Sequence, residues 1–413
     1  LTNEDYVAFR EFSKTISQTE TSFYLNDDLL YKGFFGDNIE LAKIDDLNSS
    51  DAIVVWAEDL KEKIPVLYLR IRQAVKNGVK LVVFGHTNET LSDIADVFYG
   101  KDIVSENFEI LKDLSKMKEI NNLVVGKNIT AILGKSTPYQ SDESVTKLFE
   151  FLNSNANSKV LNAYSKGNTY GAFQTLENLK GLNDFVNDVS KDNTDLLFIV
   201  GADPIGRSVY SNQIKSIIKS IDTVVTLDNF NHETSELSDY VVPISSTLGE
   251  KEGTFTNIEF RTSRIDKLVP SPGKTISDWE FVTSLMNFAG LKVETNSLED
   301  LNRKAYENLD SSLSPVFDNL DKPSNLDGMI NISKPKISSS ENKLNKTMFF
   351  TGEKLYGDSA TERHSESISM LGSKKFIEVS DGVVEKYNLR SGSCTLTQDE
   401  LEVTVSYEVN NCF

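Results

Sequence analysis

Ala52-Ile53-Val54-Val55-Trp56, then Pro65 to Asn77, then Leu81-Val82-Val83-Phe84-Gly85, is the stretch that decides the fold. The first and third segments are short, unbroken apolar runs rich in β-branched residues, the mark of strands buried on both faces. Between them, Pro65 suits a first helical turn and Gly78 suits the position just past a helix C-terminus. Strand, helix, strand at this spacing predicts a βαβ unit with parallel pairing and a right-handed crossover.

The same alternation extends in both directions. Upstream, Tyr6, Phe9, Phe12 and Ile16 recur near helical spacing and predict an amphipathic helix over 3–18, with Asn3 as its cap. Downstream, Ile129 to Gly134 reads as a strand ending at a glycine. A helix follows over 142–153, with Val145, Leu148, Phe149 and Leu152 on one face. Val160-Leu161 is a short strand, and Leu196 to Gly201 is the clearest buried strand of the chain. A helix from Ser211 to Ile221 turns Ile214, Ile217 and Ile218 inward, and Thr223–Asp228 and Tyr240–Pro243 are further short strands. The expected class is α/β, with two doubly wound parallel-sheet units. The expected partition is an α/β domain of 1–45 and 125–300, an inserted α/β unit over 46–124, a linker over 301–346 and a β-rich C-terminal domain over 347–413. The linker rests on the Ser-, Asn-, Lys- and Pro-rich stretch from Asp321 to Lys346. The C-terminal domain rests on Leu401, Val403, Val405 and Tyr407 alternating with polar residues, the period of a half-buried strand.

Composition narrows the function. The 413 residues are 39% hydrophobic and 25% charged, enough for two or three domains with substantial cores. No apolar run reaches the roughly 18 residues of a transmembrane helix, so direct membrane insertion is not expected. The sequence opens Leu1-Thr2-Asn3-Glu4-Asp5, without a signal peptide or initiator Met, which suggests a processed chain or an excised segment. The two cysteines, Cys394 and Cys412, both lie near the C-terminus, which leaves no disulfide framework and fits a reducing compartment. His86, His232 and His364 are scattered, so no metal site is expected from grouped Cys or His ligands. A net charge of −19 repels a phosphate backbone and argues against nucleic acid. It suits either docking on basic partner surfaces or a solvated acidic surface.

In an open parallel sheet, ligands bind beyond the carboxyl ends of strands. Three strands end suggestively: at Gly201-Ala202-Asp203-Pro204, at Asp228-Asn229-Phe230 followed by His232-Glu233-Thr234, and at Pro243-Ile244-Ser245. Gly201 would let a ligand approach the backbone. Asp203 or Asp228 could accept hydrogen bonds from a ribose or a guanine edge, and Thr234 could hold a phosphate. The same residues are also ordinary turn and helix-cap chemistry. There is no GxGxxG or Walker A pattern. His232 adjoins Glu233, but neighbouring residues in a turn diverge, so no catalytic dyad is expected and no catalytic residue is assigned.

Asp228-Asn-Phe-Asn-His-Glu-Thr-Ser-Glu-Leu-Ser-Asp-Tyr-Val-Val-Pro243, followed by Glu250-Lys-Glu-Gly-Thr-Phe-Thr-Asn-Ile-Glu-Phe-Arg261, strongly resembles the molybdopterin oxidoreductase family. That family carries Glu-Thr, then Ala-Asp-(Val/Tyr)-Val-(Leu/Val)-Pro, then Glu-Lys-x-Gly-Thr-(Phe/Tyr)-x-Asn-x-Glu-x-Arg. Pro270 to Trp279 is similar to its Pro-Gly…Asp-Trp segment. Within the family, Ile64 to Ala74, the opening Leu1–Tyr6 and Gly167-Asn168-Thr169-Tyr170-Gly171-Ala172 look like one branch, the large iron–sulfur subunits of proton-pumping NADH:quinone oxidoreductase, respiratory complex I.

That resemblance implies a non-catalytic scaffold in an oxidoreductase complex. No cofactor would bind in this segment, and iron–sulfur clusters would lie in an N-terminal region that the sequence lacks. The partners implied are other hydrophilic-arm subunits. The place implied is the cytoplasmic face of a bacterial inner membrane or the mitochondrial matrix side, held peripherally. Gly201, Asp203, Asp228, Thr234 and Asn257 would then line a vestigial pocket. The alternative is a formate-dehydrogenase-like molybdenum or tungsten enzyme, with a bis-pterin dinucleotide against Gly201, Asp228, Thr234 and Asn257. Where catalytic members place a Cys, selenocysteine, Ser or Asp ligand, this sequence has Ser22 to Leu29, with neither Cys nor His. Ser22 or Asp27 could be proposed there, but acidic and hydroxyl residues are common in any such stretch, and no metal ligand is assigned.

Overall fold

A computed structural model describes residues 1–17, 21–25, 40–56, 60–84, 89–99, 118–134, 157–164, 166–176, 179–208, 210–259, 261–306, 360–372, 376–390, 392–398 and 401–409. The helix expected over 142–153 and most of the 301–346 linker lie outside them. Two compact units emerge, one of Leu1–Lys32 with Lys166–Asn331, the other of Gly33–Ser165 with Ile332–Phe413.

The first unit opens with helix α1 (Asn3–Ile16). Its N-cap is Thr2 rather than Asn3. The Thr2 hydroxyl accepts the Asp5 N–H at 3.2 Å and the Asp5 carboxylate accepts the Thr2 N–H at 2.8 Å, a reciprocal capping box. Asn3 is thereby freed to point inward. β1 (Phe23–Tyr24) pairs in parallel with β8 (Leu179–Lys180). Ala172 of α3 (Thr169–Thr175) packs with Tyr6 of α1 and Leu179 of β8. β9 (Leu196–Val200), β10 (Thr223–Asp228) and β11 (Tyr240–Pro243) form a parallel sheet in the order β11-β10-β9. β12 (Gly253–Thr256) and β13 (Thr262–Ile265) make an antiparallel hairpin.

Helices cover both faces of the three-stranded sheet. Val7, Ala8, Phe9 and Phe12 of α1 share a core with Val225 and Leu227 of β10, with Val282 and Met286 of α7 (Asp278–Phe288), and with Leu301 of α8 (Leu298–Ala305). The Phe9 and Phe12 rings meet Phe198 edge-on, with centroids 6.0 and 5.4 Å apart. On the other face, Ile214 and Ile218 of α5 (Ser211–Ser220) pack with Ile199 and Val224. β9 is less buried than its apolar run suggests: only Ile199 is fully buried, and Leu196 is 39% exposed. β9 stands at the edge of the sheet, so its outer residues lack a neighbouring strand to cover them.

The second unit holds β2 (Glu40–Leu41), β3 (Ala52–Trp56), β4 (Lys80–Phe84), β5 (Val97–Tyr99), β6 (Ile129–Leu133) and β7 (Ser158–Asn162), ordered β2-β7-β6-β3-β4-β5. Every pairing is parallel. All five residues of β3 are buried, and α2 (Pro65–Lys76) lays Leu67, Tyr68, Ile71 and Ala74 inward, as the predicted βαβ unit requires. The expected boundary at 125 is corrected. β6 pairs residue for residue with β3, and β7 with β6, so Ile129–Leu133 and Ser158–Asn162 belong to this sheet. The reason is burial: β6 is apolar along nearly its whole length and is satisfied only between two other strands.

At the C-terminal end, β14 (Phe376–Val379), β15 (Ser393–Gln398) and β16 (Leu401–Val409) form a three-stranded sheet ordered β14-β16-β15. β16 runs parallel to β14 and antiparallel to β15. Val405 and Tyr407 are half-buried as their alternation predicts, whereas Val403 is 54% exposed.

Candidate functional site

Beyond the carboxyl ends of β9 and β10, two turns are bound to each other by side chains. Asp203 caps the short helix α4 (Pro204–Arg207), its Oδ1 accepting the Gly206 N–H at 3.1 Å. That same oxygen accepts the Thr234 hydroxyl at 2.7 Å, and Thr234 Oγ1 in turn accepts the Ile205 N–H at 3.2 Å. Asp228 closes the other turn: its Oδ1 accepts the N–H groups of Asn229 and Phe230 at 2.7 and 3.1 Å. His232 bridges the two, with Nε2 3.1 Å from Asp228 Oδ2 and Nδ1 3.4 Å from Asp203 Oδ1. His232 also caps α6 (Glu233–Glu236), Nδ1 accepting the Ser235 N–H at 3.3 Å.

Three of the five expected pocket residues, Asp203, Asp228 and Thr234, are therefore brought together. The residue that joins them is His232, which sequence reasoning set aside. Glu233 does turn away, to Lys215 of α5, so the adjacent pair is no dyad. The readable signal was the Asp228–His232 spacing across a turn, which lets the ring fold back on the carboxylate. Because Thr234 is fully buried and its one hydroxyl binds both Asp203 and the Ile205 N–H, Thr234→Val leaves a buried carboxylate oxygen and a backbone N–H short of a partner. A loss of about 1–3 kcal/mol in urea unfolding is expected.

Gly201 ends β9 in the left-handed region, φ 58°, and its N–H donates to Leu227 O at 2.8 Å. A Cβ placed there would meet only Leu1 Cδ2, at 4.0 Å, so the strand ends on open space. Asn257 stands apart. It occupies the β12–β13 turn, where its Oδ1 accepts the N–H groups of Glu259 and Arg261, both at 2.9 Å. Its place in the motif is explained by that turn. Of the two possible metal ligands, Ser22 is half-buried beside β1, and Asp27 lies outside the described residues.

The second motif, Glu250–Arg261, builds an ion cluster that sequence spacing did not show. Lys251 is 2% exposed; its ammonium donates to Asp5 Oδ2 at 2.6 Å and to Asp278 Oδ2. Asp5 also accepts the N–H groups of Thr2 and Trp279, whereas Asp278 Oδ1 has no hydrogen-bond partner among the described residues. The two carboxylates divide accordingly. Burial opposes ionisation of Asp5, but Lys251 outweighs it and holds Asp5 below the usual carboxylate range. Burial and the neighbouring Asp5 charge push Asp278 up to about 6. Alongside, Glu4 accepts Thr254 N–H and Oγ1 at 2.8 and 2.7 Å and Asn302 Nδ2 at 2.7 Å, yet burial still raises it.

A group whose folded pKa lies above its unfolded value favours folding as it takes up a proton. For Asp278 that gain enters as pH falls through about 6, with Glu4 acting in the same direction. Asp5 opposes it only at lower pH, as the unfolded chain takes up protons in the ordinary carboxylate range and until the folded Asp5 is protonated as well. The first unit is thus expected to be more stable at pH 5 than at pH 7.5, and Asp278→Asn to flatten most of that dependence. Thermal melts of both proteins across that range check it.

The family model for "Molybdopterin oxidoreductase" matches residues 1–288. The chain belongs to the molybdopterin oxidoreductase family. Its relatives include the F420-dependent formate dehydrogenase 2 subunit alpha of Methanococcus maripaludis, 34% identical over 135 residues that make up 30% of this chain and 20% of that protein. The F420-dependent formate dehydrogenase subunit alpha of Methanocaldococcus jannaschii is 36% identical over 116 residues, 28% of this chain and 17% of that protein. The match thus spans about a fifth of these relatives' length. Acetylene hydratase from Pelobacter acetylenicus shares the fold, with TM-score 0.52 and 11% identity over 91% of this chain and 71% of that one. The two sequence relatives are formate dehydrogenase subunits, and none of these likenesses singles out the complex I branch that the sequence motifs favoured.

The family implies a molybdopterin, and two features of the crevice fit one. The open space at Gly201 lets a bulky group reach the turn backbone, and the Asp203–His232–Asp228–Thr234 frame holds both turns rigid around it. The fit is to a group bound through the turns, because the frame's carboxylates already accept hydrogen bonds from the chain itself. The expectation of no cofactor in this segment thus loses its support.

Proposed function

We propose that this chain forms the pterin-dinucleotide-binding α/β part of a formate-dehydrogenase-like molybdenum or tungsten oxidoreductase. The observation that carries the reading is the Gly201 turn, left-handed and open, at the carboxyl edge of a parallel sheet and next to the second turn at Asp228. Gly201 and Ala202 would present the backbone to the dinucleotide, while Asp203, Asp228 and Thr234 keep both turns in place. The bound group would supply the metal that accepts an electron pair from the substrate. Ser22 and Asp27 are the candidates for a protein ligand to it. The family match and the formate dehydrogenase relatives support this reading.

A second reading is the scaffold in complex I, with hydrophilic-arm subunits as partners and a peripheral membrane position. One observation favours it: Asp203, Asp228 and Thr234 spend their side chains on one another and on His232. Purification of the native full-length protein under anaerobic conditions separates the two. The first reading expects formate-dependent dye reduction together with molybdenum or tungsten. Co-purification of NADH- and quinone-binding subunits, with neither metal, would overturn it.

A further inference from the structure

His232 Nδ1 sits between groups that ask opposite things of it. The Ser235 N–H, 3.3 Å away, needs an acceptor, and Asp203 Oδ1, 3.4 Å away, needs a donor. The other ring nitrogen faces Asp228 Oδ2 at 3.1 Å. The three side chains are 6%, 3% and 7% exposed, so water does not settle the competition.

We propose that His232 is a proton-operated switch for the crevice, which rests on the reading of that crevice as a nucleotide site. In the neutral ring, Nε2–H donates to Asp228 and Nδ1 accepts the cap N–H of α6. When solvent supplies a proton to Nδ1, that atom turns donor, releases the Ser235 N–H and binds Asp203. Among the described side chains, the crevice then holds two carboxylates and one imidazolium instead of two carboxylates and a neutral ring. Its negative charge falls by one where an anionic phosphate would approach, so ligand binding strengthens as pH falls.

The charged groups around the ring are few among the described residues. Asp203 stands at the start of α4 and Asp228 at the end of β10. On α6, Glu233 is paired with Lys215 of α5 and Glu236 is exposed. An imidazole with an ordinary pKa near 6.5 changes state within the physiological range, and two adjacent carboxylates favour the charged form.

With only three histidines in the sequence, the imidazole signals can be assigned by comparison with His232→Gln. Nitrogen-15 imidazole spectra of the full chain from pH 5.5 to 8.5 should show Nδ1 of His232 passing from acceptor to protonated donor. GDP, used as the probe, titrates its own terminal phosphate at about pH 6, so the readout is a difference: its tightening from pH 8 to pH 5.5 by calorimetry should be about fivefold larger in the parent than in His232→Gln. A ring that keeps one protonation state throughout overturns the switch, whether or not GDP binds. The same pH dependence of GDP affinity in the parent and in His232→Gln overturns it as well. A titrating ring with no GDP binding at any pH keeps the switch and overturns the nucleotide site instead.

Discussion

Lys251→Met is expected to lower the stability of the first unit by roughly 3–5 kcal/mol, read by urea or thermal unfolding. Removing the ammonium leaves Asp5 and Asp278 facing each other in a site where all three side chains are at most 1% exposed. Like charges at that distance, with no water to screen them, cannot both stay ionised. The defect should therefore depend on pH. Asp278 takes up a proton at about 6 even with Lys251 present, so the loss should be smaller at pH 5 than at pH 7.5. A variant as stable as the parent at pH 7.5 would show that the cluster does not hold α1, β12 and α7 together.

Gly171→Ala should be nearly as damaging, by about 3 kcal/mol. An added Cβ would lie 1.9 Å from Asn3 Oδ1 and 2.1 Å from Asn168 Oδ1. Neither amide can simply move. Asn3 Nδ2 donates to Thr254, Thr256 and Tyr306, and Asn168 Oδ1 accepts the Thr256 N–H at 2.7 Å while its Nδ2 donates to Leu1 O. Both are buried, and Asn168 stands at φ 62°, so the methyl displaces a connected network rather than one side chain. Gly171 lies in the first turn of α3, where that helix meets α1, and the same melts measure the effect.

The strands were legible because each is a short apolar run with turn residues at its ends. β10 and β11 fall at the expected residues, and β3 and β4 differ by at most one. What was not legible was assembly. Nothing in the run Leu196–Val200 says that it stands at a sheet edge, because exposure depends on which strands lie beside it. The same holds for β6, whose place beside β3 is a matter of pairing across an intervening crossover.

For the site, Asp203, Asp228 and Thr234 could be found as polar residues just past strand ends, and the fold does bring them together. His232 could not be weighted correctly, because its role depends on Asp203, which only the parallel pairing of β9 with β10 brings near. Lys251 and Asp5 stand 246 positions apart, and no local pattern announces a buried ion pair over that distance. The Glu250–Arg261 motif helped identify the family, but much of what it builds is this internal cluster, and Asn257 closes the β12–β13 turn.

If the Gly201 turn cradles a pterin dinucleotide, native full-length protein should release guanine nucleotide and oxidised pterin on denaturation. The most direct measurement compares that release with the release from Gly201→Val whose folding has been verified by circular dichroism. Release from the parent and a large loss in the variant are expected, since a branched side chain would fill the open space and resist φ 58°. Equal release from both, or none from the parent, would contradict the cradle.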